Sequence, residues 1–293
     1  MSALPAPAVP RLHQSIAHVL ISRSPLHAWQ QHPELGGEPR EPSAAMTDGS
    51  LLDAMLLGCG PEVVVIDPSD YPSKPKRKGE EGTVPNGWTN DAIREARDQV
   101  IVEGKLPILL DDHAALLETV AVLRLKMERK GVRLTGQSQV TVKWTSPNAD
   151  VPCEGRLDHL ILDEHSALIY DLKKTRNASR DAITRSMVDY GCDIQRAAYV
   201  EAIETLYPHL AGRVRMRFLF CETEVPCVSV AEPTGTMRAL GEHKWRRACL
   251  KWDECLRSGT WPDYSDDVML IEAKPYQLTD EVGEGDDNGI SFK

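Results

Sequence analysis

Apolar residues recur along this chain in two periods. Between about 111 and 130, Leu116, Leu117, Val120, Leu123 and Met127 return at helical spacing. The same reading predicts helices near 44–57, 89–104, 180–206 and 236–258. A further helix is predicted at 22–31, where Ser22 stands at the start and Pro25 falls in the first turn. Short runs of β-branched and aliphatic residues predict strands at 139–145, 156–162, 167–173, 213–221 and 226–230. Helices first, then strands that can pair antiparallel, then a helix and more strands describe an α/β fold. Its mixed central sheet is flanked by helices.

Punctuation divides the rest. Residues 1–14 are Pro/Ala-rich and read as a flexible N-terminal segment. The stretch 67–90 is rich in Pro, Gly and Lys, with Lys74, Lys76, Arg77 and Lys78, and reads as a long exposed loop. Residues 276–293 read as an acidic disordered tail, carrying Asp280, Glu281, Glu284, Asp286 and Asp287. What remains, 15–275, has no internal repeat and no second core, and is read as one domain.

Composition narrows the function classes. The formal charge of −10 argues against a generic basic nucleic-acid coat. Setting aside the five tail acids leaves roughly −5. No apolar run approaches the length of a membrane span, and the N-terminus has no signal-peptide pattern, so a cytoplasmic protein is expected. Seven cysteines stand at irregular spacing without a CxxC pair and read as reduced thiols. There is no phosphate-binding G-x-x-x-x-G-K-[ST] loop, no His-Glu-x-x-His helix and no nucleophile elbow.

The candidate chemistry lies in one hairpin. Two apolar strands flank Asp163-Glu-His-Ser166, a polar tetrapeptide suited to a tight turn. Centring the hairpin between Glu164 and His165 puts Leu162 opposite Ala167 and Asp158 opposite Asp171. Alternation then puts Lys173 on the face of Asp171, and Arg156 on that of Asp158. The other face carries Leu157, Ile161, Leu168, Tyr170 and Leu172, with His159 among them. Opposed carboxylates about 4 Å apart repel by roughly 4 kcal/mol at an effective dielectric near 20. A proton, a cationic side chain or a divalent ion must offset that repulsion. Two acids and a Lys around such an ion suit phosphodiester hydrolysis.

These residues resemble the PD-(D/E)XK nuclease superfamily. Gly155-Arg-Leu-Asp158 followed by Tyr170-Asp-Leu-Lys-Lys-Thr175 is most similar to the phage-type exonucleases of the RecE and lambda-exonuclease kind. The resemblance implies a restriction-endonuclease-like fold and a metal site of Asp158, Asp171 and the Leu172 carbonyl, with Lys173 catalytic. Gln195-Arg-Ala-Ala-Tyr199 is similar to the group's Q-x-x-x-Y helix, which implies that Gln195 and Tyr199 serve the site. Spacing i, i+4 puts both on one helical face. Ile21-Ser-Arg-Ser-Pro-Leu-His27 resembles the segment that approaches the DNA backbone, which implies DNA contacts from Ser22, Arg23 and Ser24, with Arg156, Lys174 and Thr175 beside the site. Trp252 to Tyr264 resembles the group's closing helix and W-P-x-Y segment, a structural element. Where many relatives carry a His ligand, this chain has Asp53, also a hard-metal ligand.

Taken together, the resemblance implies Mg²⁺, or Mn²⁺, with two ions per site. It implies an enzyme that degrades one strand of linear duplex DNA, 5′ to 3′, and leaves single strand for recombination by annealing. Its implied partners are duplex ends, a single-strand annealing protein and further copies in a ring. Two readings compete: another nuclease of the same superfamily, of CRISPR-adaptation or restriction type, and a nuclease-fold protein that binds DNA without cutting. The second predicts loss of a catalytic residue, yet Asp158, Asp171 and Lys173 are all present.

Overall fold

The computed structural model describes residues 9–38, 44–75, 81–265 and 267–273. The acidic tail, and Lys76, Arg77 and Lys78 of the basic loop, lie outside them. In chain order the elements are α1 (Gln14–Ser22), α2 (Pro25–Gln31), α3 (Ala44–Leu57), β1 (Val63–Ile66), α4 (Asp91–Val102), β2 (Leu106–Leu109) and α5 (Leu110–Arg129). Then follow β3 (Gln137–Ser146), β4 (Val151–Leu162), β5 (Ala167–Lys174), α6 (Arg180–Asp189), α7 (Cys192–Leu206), β6 (Val214–Glu222), β7 (Cys227–Ala231) and α8 (Gly235–Ser258).

Strands β3 to β7 form one five-stranded sheet in sequence order. The pairs β3–β4, β4–β5 and β6–β7 are antiparallel. The pair β5–β6 is parallel, because α6 and α7 carry the chain back across the sheet between them. Each face of the sheet buries its own apolar layer. On one face Leu157, Leu160, Ile169, Met216 and Phe218 pack with residues of α1, α6, α7 and α8. On the other, Tyr170, Leu172, Leu219 and Val228 pack with Leu52 and Leu56 of α3 and Val120, Leu123 and Met127 of α5. The fold is thus mixed α/β, helix layer over sheet over helix layer, as the apolar pattern predicts.

Four local features depart from the sequence reading. Residues 180–206 form two helices, not one, because Gly191 takes φ +69 between them. A Cβ there would lie 2.7 Å from the His18 ring, so both the conformation and the space require glycine. Residues 14–22 form a helix, α1, where none was predicted. Val63–Ile66 and Leu106–Leu109 pair as a separate parallel two-stranded sheet around α4.

The fourth concerns the N-terminal segment expected to be flexible. Leu12 is fully buried and makes a parallel bridge with Cys153 of β4. Its N–H donates to the Pro152 carbonyl at 2.9 Å, and its carbonyl accepts from Glu154 N–H at 3.2 Å.

Candidate active site

The hairpin register is the one that the turn dictates. The ladder between β4 and β5 pairs Leu162 with Ala167, Ile161 with Leu168, Leu160 with Ile169 and His159 with Tyr170. It stops there, one step short of Asp158 and Asp171. The Asp163 carboxylate closes the turn by accepting from the His165 and Ser166 N–H groups at 2.7 and 2.9 Å. Beyond His159 the two strands part, and β4 takes up the Leu12 segment instead of β5.

Alternation fails at this fork. Leu157 was expected beside Ile161 and Tyr170, but it packs in the same apolar layer as Leu160, three positions away. A backbone irregularity lies directly across on β3. Gln139 adopts φ +55, and the ladder skips the Gln139–Asp158 position between Ser138↔His159 and Val140↔Leu157 with no change of register. Arg156 therefore points away from the Leu157 layer, toward the α3 side, where it is exposed. His159 is buried and satisfied: its Nε2 accepts from Gly136 N–H at 3.0 Å and its Nδ1 lies 2.8 Å from Ser138 Oγ.

Asp171 is the centre of the site. It is 1 % exposed. Its Oδ1 accepts from Gln195 Nε2 at 2.5 Å, and its Oδ2 lies 2.5 Å from Lys173 Nζ. Oδ2 is fully buried, and no directed hydrogen bond reaches it beyond that ion pair. Asp158 Oδ2 accepts from the Leu172 N–H at 2.8 Å, which ties the first acid to the backbone between the second acid and the lysine. Burial and the Asp171 carboxylate push Asp158 up to about 8. Burial and Asp171 likewise push Asp53 of α3 up to about 6, with Lys173 and Arg156 opposing. Burial alone would lower the Lys173 ammonium, but Asp171 and its other neighbours hold it above its usual value. The site is thus an acidic excess with one cation inside it.

Helix α7 delivers the two residues expected from its i, i+4 spacing. Gln195 holds Asp171 as described. Tyr199 is pushed up to about 12 by burial and the Asp171 carboxylate. Its ring lies on Gly155 of β4, where a Cβ would sit 2.5 Å from Cε1, so the glycine lets helix and strand approach. Two neighbours were not anticipated. Phe218 of β6 stands in register with Asp171, and Lys173 Nζ sits 6.0 Å above its ring centroid. Cys192, at the start of α7, is buried close enough to Lys173 and Asp171 to feel both charges, and burial pushes its thiol up to about 12. Both arrive through pairings across long sequence separations that no local pattern encodes.

The remaining expected residues are spread more widely. Ser22 Oγ donates back to the His18 carbonyl at 2.7 Å. Ser24 is buried and caps α2, accepting from His27 N–H, so its hydroxyl holds the protein rather than facing solvent. Arg23 between them is exposed. Lys174 Nζ bonds Asp48 of α3 at 2.8 Å. Thr175 N–H donates to the Cys221 carbonyl, and its Oγ1 bonds the Asn177 backbone. The W-P-x-Y segment is structural: Pro262 accepts from Leu26 N–H at 3.0 Å, Tyr264 packs on His27, and Trp261 meets the fully buried Trp252 edge-on. All seven cysteines are free thiols. A groove of about 870 Å³ between α3, α4, β2 and α5 is lined by Lys174 and Trp88, but by none of Asp158, Asp171 or Lys173.

Asp53, Asp158 and Asp171 are electrostatic neighbours, yet they are not gathered into a cage. Among the described residues no three His, Cys, Asp or Glu side chains stand ready to hold an ion. The donors that converge best are the Asp158 and Asp171 carboxylates, hard oxygens of the type Mg²⁺ prefers. Mg²⁺ commonly takes only one or two carboxylates from a protein and completes its shell with water and phosphate. The donor set fits that pattern. Asp53 stands at its edge.

No family model and no curated protein sequence matches the chain. Among solved structures, a protein from Eubacterium rectale described as a "putative exonuclease" superposes with a TM-score of 0.54 at 14% identity, over 92% of this chain and 93% of that one. SSO0001 covers 73% of this chain and 95% of its own at 12% identity, with a TM-score of 0.27, too low to bear on the fold. No helix among the described residues is long and apolar enough to cross a membrane. The chain therefore shares with the Eubacterium rectale protein its fold, a five-stranded mixed sheet between helical layers.

Proposed function

We propose that this protein is a divalent-cation-dependent deoxyribonuclease that degrades linear duplex DNA from its ends, 5′ to 3′, leaving single strand for annealing-type recombination. The observation that carries the reading is the meeting of Asp158, Asp171 and Lys173 at the fork between β4 and β5, with Gln195 fixed on Asp171. The likeness of fold to a protein described as an exonuclease supports it.

Asp158, Asp171 and the Leu172 carbonyl would hold Mg²⁺ or Mn²⁺, one or two ions, which supply an activated water and neutralise charge at the scissile phosphate. The chain's own residues do the rest. The Leu172 N–H fixes which way the Asp158 carboxylate faces. Gln195 fixes Asp171 through Oδ1. Lys173, charged and half-exposed, can donate toward a phosphate oxygen or orient the attacking water. Arg23, Arg156 and Lys174 are exposed cations that could meet the backbone. An annealing protein would receive the product strand.

The test is incubation with end-labelled linear duplex and closed circular duplex, with Mg²⁺, Mn²⁺ or EDTA. Loss of linear DNA alone, only with metal, and its abolition in Lys173→Ala and Asp171→Ala, are expected. A cut circle would sink the exonuclease and keep the nuclease. Full activity in Lys173→Ala would remove the site.

A further inference from the structure

Tyr190 is 76% exposed, more than any other Trp, Tyr or Phe among the described residues. Its side chain has no ring or hydrogen-bond partner among them. Its backbone, by contrast, is held from both sides. Tyr190 N–H donates to the Ser186 carbonyl at 3.1 Å where α6 ends. Gly191 then turns left-handed and packs on the His18 ring. The Gly191 carbonyl accepts from Gln195 N–H at 2.9 Å as α7 begins. An aromatic ring on a fixed backbone offers broad apolar faces and gives up little freedom when it binds.

The ring stands at the rim of the candidate site. Cys192, whose thiol lies near Lys173 and Asp171, is two residues on, so its Cα is at most about 7 Å from that of Tyr190. Gln195, on the first turn of α7, reaches Asp171. The surroundings are basic, in a chain whose net charge is −10. From Lys173 to Tyr190 there are five cations, Lys173, Lys174, Arg176, Arg180 and Arg185, against two acids, Asp181 and Asp189. Arg176, Arg180 and Arg185 are exposed and make no ion pair among the described residues. Arg23 is exposed just past the end of α1, the helix whose His18 packs on Gly191. Unpaired cations suit the phosphates of a nucleic-acid strand, and a bare ring suits its bases. We propose that Tyr190 stacks on the end base of the DNA strand that enters the site of Asp158, Asp171 and Lys173, an inference that rests on the nuclease reading of that site. Stacking uses the face that every base has, so the contact accepts any sequence, as stepwise degradation of a strand requires. The unpaired arginines meet the phosphates of the same strand.

The experiment separates binding from cleavage. The full chain is titrated, in EDTA and in Ca²⁺, into linear duplex carrying 2-aminopurine at the 5′ end, at the 3′ end or in the middle. Wild type should quench the probe at one of the ends and leave the central probe bright. Tyr190→Phe, which keeps the ring, should do the same. Tyr190→Ala should lose the quench and bind ends about tenfold more weakly or worse, with an unchanged melting temperature. Tyr207→Ala, at a tyrosine 37% exposed outside the site, should behave as wild type. A Tyr190→Ala variant that keeps both quench and affinity would overturn the proposal. So would a Tyr190→Phe variant that loses the quench, an equal loss in Tyr207→Ala, or a wild type that binds ends in neither buffer. Parallel incubation with Mg²⁺ tells the two readings apart. A wild type that cuts, beside an indifferent Tyr190→Ala, removes the platform and keeps the nuclease. Quenching through Tyr190 by a protein that never cuts removes the nuclease and keeps the platform.

Discussion

Asp158 and Asp171 share a buried corner in which Lys173 is the near cation, and the Asp158 carboxyl is held far above the usual carboxylate range by burial and its neighbour. Buried carboxylates set this close to one another cost stability. Asp158→Asn keeps an oxygen to accept from the Leu172 N–H and removes the repulsion. We expect this variant to melt several degrees higher than wild type near pH 8 without divalent cations, each kcal/mol being worth about 2–4 °C in a chain of this size, while losing cleavage. Scanning calorimetry paired with the nuclease assay checks it. An unchanged or lower melting temperature would mean that the repulsion is already offset within the protein. At this scale the sequence was most informative where geometry is local. The turn Asp163–Ser166 fixes the Leu162↔Ala167 pair, and helical spacing puts Gln195 and Tyr199 on one face. It was silent on Phe218 and Cys192, which reach Lys173 through the β5–β6 pairing and the start of α7. It also misled at Leu157, near the positive φ of Gln139, which nothing in the residue types announces.

Among elements, the junction between α6 and α7 carries the most consequence. Gly191 lets the chain turn so that α7 begins anew and Gln195 reaches Asp171. Gly191→Ala forces a left-handed backbone on a residue with a Cβ and drives that atom into the His18 ring. A loss of about 1–3 kcal/mol is expected in urea unfolding, from strain and overpacking together. Combining it with His18→Ala removes the ring atoms but leaves the His18 Cβ at 2.9 Å, and should recover the part of the loss due to the ring. No recovery would place the cost in the backbone and the remaining Cβ contact. The apolar pattern across 180–206 runs through the break, so the period alone reads as one helix. The small β1–β2 sheet escaped for a related reason. Val63–Ile66 is a short apolar run whose parallel partner comes only after α4, and neither strand signals the other.

Over the whole molecule, the N-terminal region is a clasp. Leu12 bridges β4, α1 packs on α7 and α8, and the His32 ring lies 5.1 Å from that of Trp252. His13 and His18 on this clasp are both held below the usual imidazole range, chiefly by burial. The unfolded chain therefore takes up protons near pH 6.5 that the folded chain refuses. The stability due to their neutral burial is complete above that pH and falls as the pH drops below it. Asp158 and Asp53, held above the usual carboxylate range, pull the other way over the same window, so the check is differential: from pH 7.5 to 5.5 the urea midpoint of His18→Gln should gain on that of wild type. A constant difference between the two would assign the pH dependence to other groups. The layered architecture was legible because two opposed apolar faces on strands and amphipathic helices leave few other arrangements. The clasp was not, since a Pro/Ala-rich start reads as loose until β4 is seen to need a neighbour.

That need gives the fork its meaning. Upstream of Asp158, β4 belongs with β3 and the Leu12 segment. Downstream it keeps β3 as far as Leu160 and gains β5, and through β5 it joins β6 and β7. Asp158 lies at the seam between these two assemblies, while Asp171, Lys173 and Gln195 all lie on one side. No ladder rung spans the seam at that level. The bond from Leu172 N–H to Asp158 is its rivet. Where the β4–β5 ladder has lapsed, that bond joins the first acid to the strand of the second, so the spacing of the two carboxylates follows the Leu172 backbone as well as β3, which pairs with β4 on both sides.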